Sequence, residues 1–358
     1  MNELNEKMTF LYLLHEELGI ENQVDFDKFY LYSIIAHSTA IEGSTVTVEE
    51  AQILFDEGLT SSKRTLMEQL MNVDLKKAYD DGRLWISSHP NINIQSLCEL
   101  SSKVLEHTGA KYNYPGGSFD ASKGELRKIS VHATGGESYM DCRKVPLKLS
   151  EFCDKLNKKR QCIDKENITD VYDLSFWAHS ELVTIHPWAD GNGRMSRLLM
   201  NLLQWEYDVL PMKLLKEDKQ EYINALKESR KEDNVDIFAS AMKKIHSRHL
   251  TSDIDEFLNG KLKWSDILPD TRREIKRWAK EYAQTRSGWP WLRDYCSEVI
   301  NKLAENEIDK TEVSRLLRYR ILLDISDKTE TDRLVFLKRE LEKENQKLIL
   351  GQGDVLKK

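Results

Sequence analysis

The sequence predicts a mainly helical, all-α protein with one short β-hairpin and a helical C-terminal extension. Three observations carry that class. Among 358 residues there are only 7 Pro and 16 Gly, too few chain breakers for a sandwich of many short strands. Apolar residues recur at helical spacing over long stretches, most regularly at Met195, Leu198, Leu199, Leu202 and Leu203. Strand-like alternation is confined to LRKISVHATGGESYM, residues 126–140, where Ile129 and Val131 alternate with polar neighbours and Gly135-Gly136 offers a tight turn.

In chain order, residues 1 to about 60 read as helices. Within LYSIIAHSTAIEG, Ile34, Ile35, Ser38 and Glu42 share one helix stripe, so Glu42 is expected to look inward. Gly43 is a natural left-handed stop, which puts that carboxylate in the last turn, where the helix dipole disfavours an acid. Glu42 therefore needs a cation from elsewhere. Thr47 and Glu50 form a capping box that starts a helix over VTVEEAQILFDEG. Helical patterns continue from about 65 to 107, and the Pro, Gly and Ser of KYNYPGGSFDASKG, residues 111–124, mark a loop. After the hairpin, helices resume near Pro146, and a helix carrying Leu174, Trp177, Leu182 and Ile185 leads into HPWADGNGRMSR. Beyond Leu258 come charged helices broken at SGWPW, then a seam of Leu334, Leu337, Leu341 and Leu348. That seam suits self-association into a homo-oligomer, although a core helix gives the same pattern.

Composition excludes several classes. A net charge of -7 argues against broad attraction to nucleic acid or anionic lipid, and no apolar run approaches a membrane span of roughly 20 residues. Acids precede the short apolar run at the N-terminus, the wrong order for a signal peptide, which points to a cytoplasmic protein. Five cysteines without a CxxC pair suit reduced thiols and argue against zinc. The histidines of HSRH, residues 246–249, are expected at a solvated helix end.

The chemistry concentrates in HPWADGNGRMSR, residues 186–197. Gly191 and Gly193 flank Asn192 and let backbone amides converge, while the following helix aims its positive end into the same space. Such a cradle suits phosphate oxygens. Arg194 and Arg197 can add bidentate contacts, Asp190 is a hard oxygen donor for Mg2+ between phosphates, and His186 can take a proton from a hydroxyl nucleophile. The set reads as transfer of a phosphate ester from a nucleotide. Walker and protein-kinase motifs are absent.

HPWADGNGRMSR resembles the signature of the Fic family, HPFx[DE]GNGRxxR, with Trp188 in place of the usual Phe. The resemblance implies a helical Fic domain over residues 90–258, after an N-terminal helical region over 1–89 and before a C-terminal helical domain over 259–358. It implies transfer of AMP from ATP, with Mg2+, to a Ser, Thr or Tyr hydroxyl of a target protein or of the chain itself. His186 matches the base, Asp190 the metal ligand, Gly191, Asn192 and Gly193 the anion hole, Arg194 a phosphate contact, and Arg197 the arginine that orients the γ-phosphate. The hairpin near residues 126–140 matches the flap that docks the target, and Tyr222 and Asn224 fall where the family often builds its adenine pocket. Ser38, Glu42 and Gly43 resemble the inhibitory motif [ST]xxxE[GN], whose glutamate pairs with the second signature arginine, here Arg197. Two other functions fit the same residues: a non-enzymatic nucleotide-binding regulator acting through its C-terminal helices, and an enzyme that removes AMP with the help of Glu42. IDKTEVSRLLRYR also resembles a recognition helix, but nucleic acid is not the expected partner, since basic helices of this kind are usually solvated faces.

Overall fold

The computed structural model describes residues 3–17, 19–23, 25–132, 138–165, 167–262, 269–286, 290–304, 316 and 319–320. In chain order its elements are α1 (Glu3–Glu17), α2 (Phe26–Ile41), α3 (Val48–Glu57), α4 (Leu66–Ile86), α5 (Ile94–Val104), β1 (Lys111–Tyr114), β2 (Gly117–Asp120), α6 (Val145–Gln161), α7 (Ile168–Ile185), α8 (Asn192–Glu206), α9 (Lys219–Lys231), α10 (Val235–Leu262), α11 (Pro269–Ala283) and α12 (Pro290–Ala304). Mainly helical architecture with one strand pair is therefore what these residues adopt. The chain divides into two compact units, Asp27–His246 and Met1–Phe26 with Ser247–Lys358.

In the unit Asp27–His246, α7 and α8 form the central pair, with α4 laid across α8 and α5 against α4. The regular apolar spacing of α8 is fully used: Met195, Leu198, Leu199, Leu202 and Leu203 are completely buried. Gly82 lets α4 approach closely, since a Cβ there would sit 2.9 Å from Leu202 Cδ1. Polar groups on α8 are buried too, and Asn201 and Gln204 are paired. Tyr79 donates to Asn201 Oδ1 at 2.7 Å, and Gln204 Nε2 donates to Ser175 Oγ at 2.9 Å. Such matched networks fix one register between helices. The capping box expected at Thr47 and Glu50 forms, with both reciprocal bonds present.

Two local expectations are corrected. Residues 111–120, read as loop, form the antiparallel pair β1–β2, because Tyr112 faces Phe119 across the strands and their rings stack at 5.1 Å around the Pro115-Gly116 turn. The segment expected to be the hairpin contains, among its described residues, one bridge between His132 and Ser138 and a bond from Tyr139 N to Val131 O. HSRH lies inside α10 rather than at a solvated end. His246 and His249 are buried, and His246 Nε2 meets the Tyr172 hydroxyl at 2.8 Å.

In the other unit, Met8, Leu11, Leu292, Cys296 and Val299 are buried, and Lys7 Nζ lies 5.2 Å from the Trp291 ring. The leucine seam at Leu334 to Leu348 and most of IDKTEVSRLLRYR lie outside the described residues. Among the described residues no helix is long and apolar enough to cross a membrane.

Candidate active site

The loop 186–193 is a tight connection between the end of α7 and the start of α8. His186 caps α7 in the left-handed region, φ 52° and ψ 63°, with its amide donating to Leu182 O at 3.0 Å. A histidine accepts that conformation only where its surroundings hold it there. Arg127, almost fully buried, supplies the hold: Nε donates to His186 O at 2.7 Å, and its own amide donates to Pro187 O at 3.0 Å. The same guanidinium reaches Ile129 O at 3.0 Å and Met140 O at 2.5 Å, so one side chain ties the loop to both arms of the segment 127–140. Sequence reading did not single Arg127 out. Its only local signal is a basic residue just before an alternating stretch.

Trp188 is completely buried and its indole donates to Gly124 O at 3.0 Å, so the larger ring fits the packing position. Asn192 locks the turn with its side chain, accepting from Trp188 N at 3.0 Å and donating to Trp188 O at 2.8 Å. Gly191, φ 75°, is the N-cap of α8 and has no side chain to cap with, which leaves the first-turn amides of Asn192, Gly193 and Arg194 available to an anion. Met195 N makes the first intrahelical bond, to Gly191 O.

Two arginines stand beside this tip. Arg194 is buried, with Nη1 donating to Val104 O at 3.3 Å and Nη2 3.7 Å from Asp190 Oδ2. Its Nε is buried without a partner among the described residues. Burial pulls the Arg194 guanidinium below its ordinary value, with Asp190 and Glu42 opposing that shift. Asp190 keeps 56% of its side-chain surface exposed and accepts from Gly191 N at 2.6 Å. An exposed, hard carboxylate next to open phosphate-binding amides fits the chemistry of a Mg2+ ligand.

Arg197 meets Ser38 and Glu42. Nε donates to Ser38 Oγ at 2.8 Å, and Nη2 donates to Ser38 O at 3.0 Å and to Glu42 Oε1 at 2.6 Å. The cation demanded by an acid at the end of α2 is thus present. Glu42 sits just past the helix, and Gly43, φ 108°, turns the chain away. Although partial burial pushes its carboxyl up, Arg197 and then Arg194 hold it below the usual value. Glu42 also overhangs the anion tip itself. A Cβ on Gly193 would lie 2.4 Å from Glu42 Oε1, so the carboxylate occupies space directly against the cradle.

His186 is half-buried, with Nδ1 3.4 Å from Val183 O. Burial first, and the charges of Arg127 and Arg230 next, lower it to about 4, so the ring is neutral at physiological pH. Tyr222 and Asn224 leave α9 on different sides. Tyr222 is buried, its hydroxyl 3.1 Å from His179 Nε2 and close enough to Arg197 to hydrogen-bond it. Asn224 is exposed and lines a groove of about 790 Å³ together with Glu228, Asp236 and Lys244.

The comparisons agree with this geometry. Residues 91–204 match the model of the Fic/DOC family. The chain is 25% identical over 231 residues to the protein adenylyltransferase Fic of Drosophila melanogaster, spanning 63% of this chain and 42% of that protein. It is 26% identical over 226 residues to the protein of the same name from Drosophila grimshawi, spanning 63% and 43%. The chain thus covers less than half the length of these curated relatives. Among solved structures, Fic-1 from C. elegans superposes with a TM-score of 0.58 at 20% identity, covering 72% of this chain and 73% of that one. A Fic domain containing signaling protein from Bacteroides thetaiotaomicron gives 0.56 at 21% identity, covering 70% and 96%. The signature loop and the start of the buried helix that it opens lie within residues 91–204, the segment of this chain that matches the Fic/DOC family model.

Proposed function

We propose that the chain is a protein adenylyltransferase held inactive by its own Glu42. The observation that carries the reading is the Glu42 carboxylate, bonded to Arg197 at 2.6 Å while pressed against Gly193 at the tip of α8. In this reading the triphosphate of ATP lies on the amides of Asn192 to Arg194, with Arg194 and a released Arg197 on its oxygens. Asp190 would hold Mg2+, which when bound supplies charge neutralisation between phosphates. His186 Nε2 takes the proton of the target hydroxyl. The hydroxyl oxygen forms its bond to the α-phosphorus as the bond to the β-phosphate oxygen breaks, and pyrophosphate leaves. Segment 126–140 positions the target's extended chain beside His186. Five free cysteines suit a cytoplasmic setting.

The test is intact-protein and peptide mass spectrometry after incubation with ATP and Mg2+. Glu42→Gly is expected to acquire an AMP adduct on itself or on an added target, wild type far less, and Glu42→Gly with His186→Ala none. Equal labelling with and without His186 would overturn the reading.

A further inference from the structure

The Tyr139 ring lies flat on the His186 imidazole, centroids 3.6 Å apart and planes within 16°. Tyr139 is not loosely placed. Its amide donates to Val131 O at 3.1 Å, its neighbour Ser138 bridges to His132, and Arg127 Nη2 holds the Met140 carbonyl that follows. From the other side, the Arg230 guanidinium lies 5.7 Å from the Tyr139 centroid, while Arg230 Nε donates to Thr184 Oγ1 at 3.1 Å and Nη2 to Val183 O at 3.3 Å. The ring is therefore fixed by the flap segment behind it and by a cation anchored on the last turn of α7.

We propose that Tyr139 is a positioning residue for the general base. Its ring closes one face of the imidazole and fixes the plane in which the base meets an incoming hydroxyl. The Val183 carbonyl can only accept, so Nδ1 carries the ring proton and Nε2 keeps the lone pair. With one face covered and Nδ1 engaged, a target hydroxyl reaches the base at the Nε2 edge. Arg127 bonds to the His186 carbonyl and to both flap arms, so the docking segment and the orientation of the base move as one piece. A target strand that adds to the flap thereby acts on the base directly.

The ring also keeps water from the imidazole. The charged groups facing His186 are Arg127 and Arg230, which lower its proton affinity, and Glu42, which raises it. Replacing Tyr139 alters none of these charges, and Arg230 is expected to keep its bonds to Thr184 Oγ1 and Val183 O when the ring is removed. Tyr139 is half-buried and outside the core, so its replacement is expected to leave the helical fold in place.

This inference rests on His186 being the base, and its test uses two independent readouts in the Glu42→Gly protein. The first is an NMR titration of His186, assigned by its loss in His186→Ala. Tyr139→Ala is expected to move its midpoint up from that of the Glu42→Gly parent toward the ordinary 6.5, by about one pH unit or more, while Tyr139→Phe titrates like the parent. The second is AMP transfer to a target. Tyr139→Ala is expected to lower kcat about 10- to 100-fold with KM for ATP little changed, and Tyr139→Phe to restore it. If transfer is robust and neither readout responds to Tyr139→Ala, the positioning role is wrong while the transferase reading stands. If the titration shifts but no variant transfers AMP, the transferase reading fails and the contact survives.

Discussion

In the proposed reading, replacing Glu42 with glycine deletes a carboxylate that ATP would otherwise have to displace, and the geometry of the pair sets the size of the expected effect. The bond from Arg197 to Glu42 at 2.6 Å is charge-assisted, a type that contributes about 1.5–3 kcal/mol when buried. Arg197 keeps 3% of its side-chain surface exposed and Glu42 37%, so solvent screens one partner and not the other. Screening of the exposed partner brings the pair to the bottom of that range and below it, about 1–2 kcal/mol, or about 5- to 30-fold in affinity for a ligand that needs the same guanidinium. Calorimetric titration with ATP and with AMP at neutral pH separates the causes. Glu42→Gly is expected to bind ATP about 5- to 30-fold more tightly than wild type, with AMP changed by less than about twofold because it lacks the phosphates that would reach Arg197. Glu42→Gln, which keeps the shape and loses the charge, should fall between. An unchanged ATP affinity would refute the competition. An equal gain for AMP would show that Glu42 acts by filling the pocket rather than by holding the arginine.

Acid should not break the Arg197–Glu42 pair within the physiological range. The folded Glu42 carboxyl titrates below its ordinary 4.5, so the pair is complete above that value and is lost only as pH falls through the lowered folded value; the ratio of ATP affinities between Glu42→Gly and wild type is expected to stay flat from about pH 7 to about pH 5. Glu68 latches the chain just after Glu42, accepting from Thr45 N and Oγ1 at 2.7 and 2.6 Å and from Thr65 N and Oγ1 at 2.9 and 2.7 Å, and Glu68→Gln should cost about 1 kcal/mol in urea unfolding while raising basal labelling. Those bonds hold the Glu68 carboxyl down to about 2, so its stabilisation is present above the ordinary 4.5 and fades as pH falls toward about 2. Arg127→Ala removes three carbonyl contacts around His186 and is expected to lower transfer about 100-fold while ATP binding, measured by calorimetry, stays near that of the parent. Trp188→Phe keeps a ring but orphans the Gly124 carbonyl, and should cost about 1–3 kcal/mol in the same unfolding assay.

What could be read from the sequence followed how local the physics is. His186 to Arg197 fall within twelve residues, so the helix tip, its glycines and its arginines could be assembled on paper, and the capping box at Thr47 needed only a four-residue spacing. The pairing of Glu42 with Arg197 spans 155 positions, and only family resemblance suggested it. Arg127 and Tyr139 were missed as site residues because their roles depend on carbonyls and a ring brought in from elsewhere in the fold. The β1–β2 pair was read as loop because Pro115 and Gly116 dominate a short stretch. Its cross-strand partners Tyr112 and Phe119 become informative only once they are seen facing each other. His246 looked like surface because its neighbours are polar, while its burial comes from Tyr172, 74 positions away.

The resting site satisfies its two arginines unequally. Arg197 has Ser38 and Glu42 on its guanidinium, and Glu42, followed by Tyr222, works to hold its charge against burial. Arg194 has one long bond to Val104 O, a carboxylate at 3.7 Å, and a buried Nε with no partner among the described residues. A buried donor left open costs more than an average hydrogen bond returns, so the loop carries an unmet demand for an anion even while Glu42 is docked. A single carboxylate meets the demand at Arg197, but its geometry leaves Arg194 Nε unserved. A polyphosphate spanning the tip of α8 has acceptors for both arginines and for the open amides between them. In the proposed reading Glu42 is thus a partial occupant of a site that suits a larger anion, and partial occupancy would make its displacement by ATP energetically accessible.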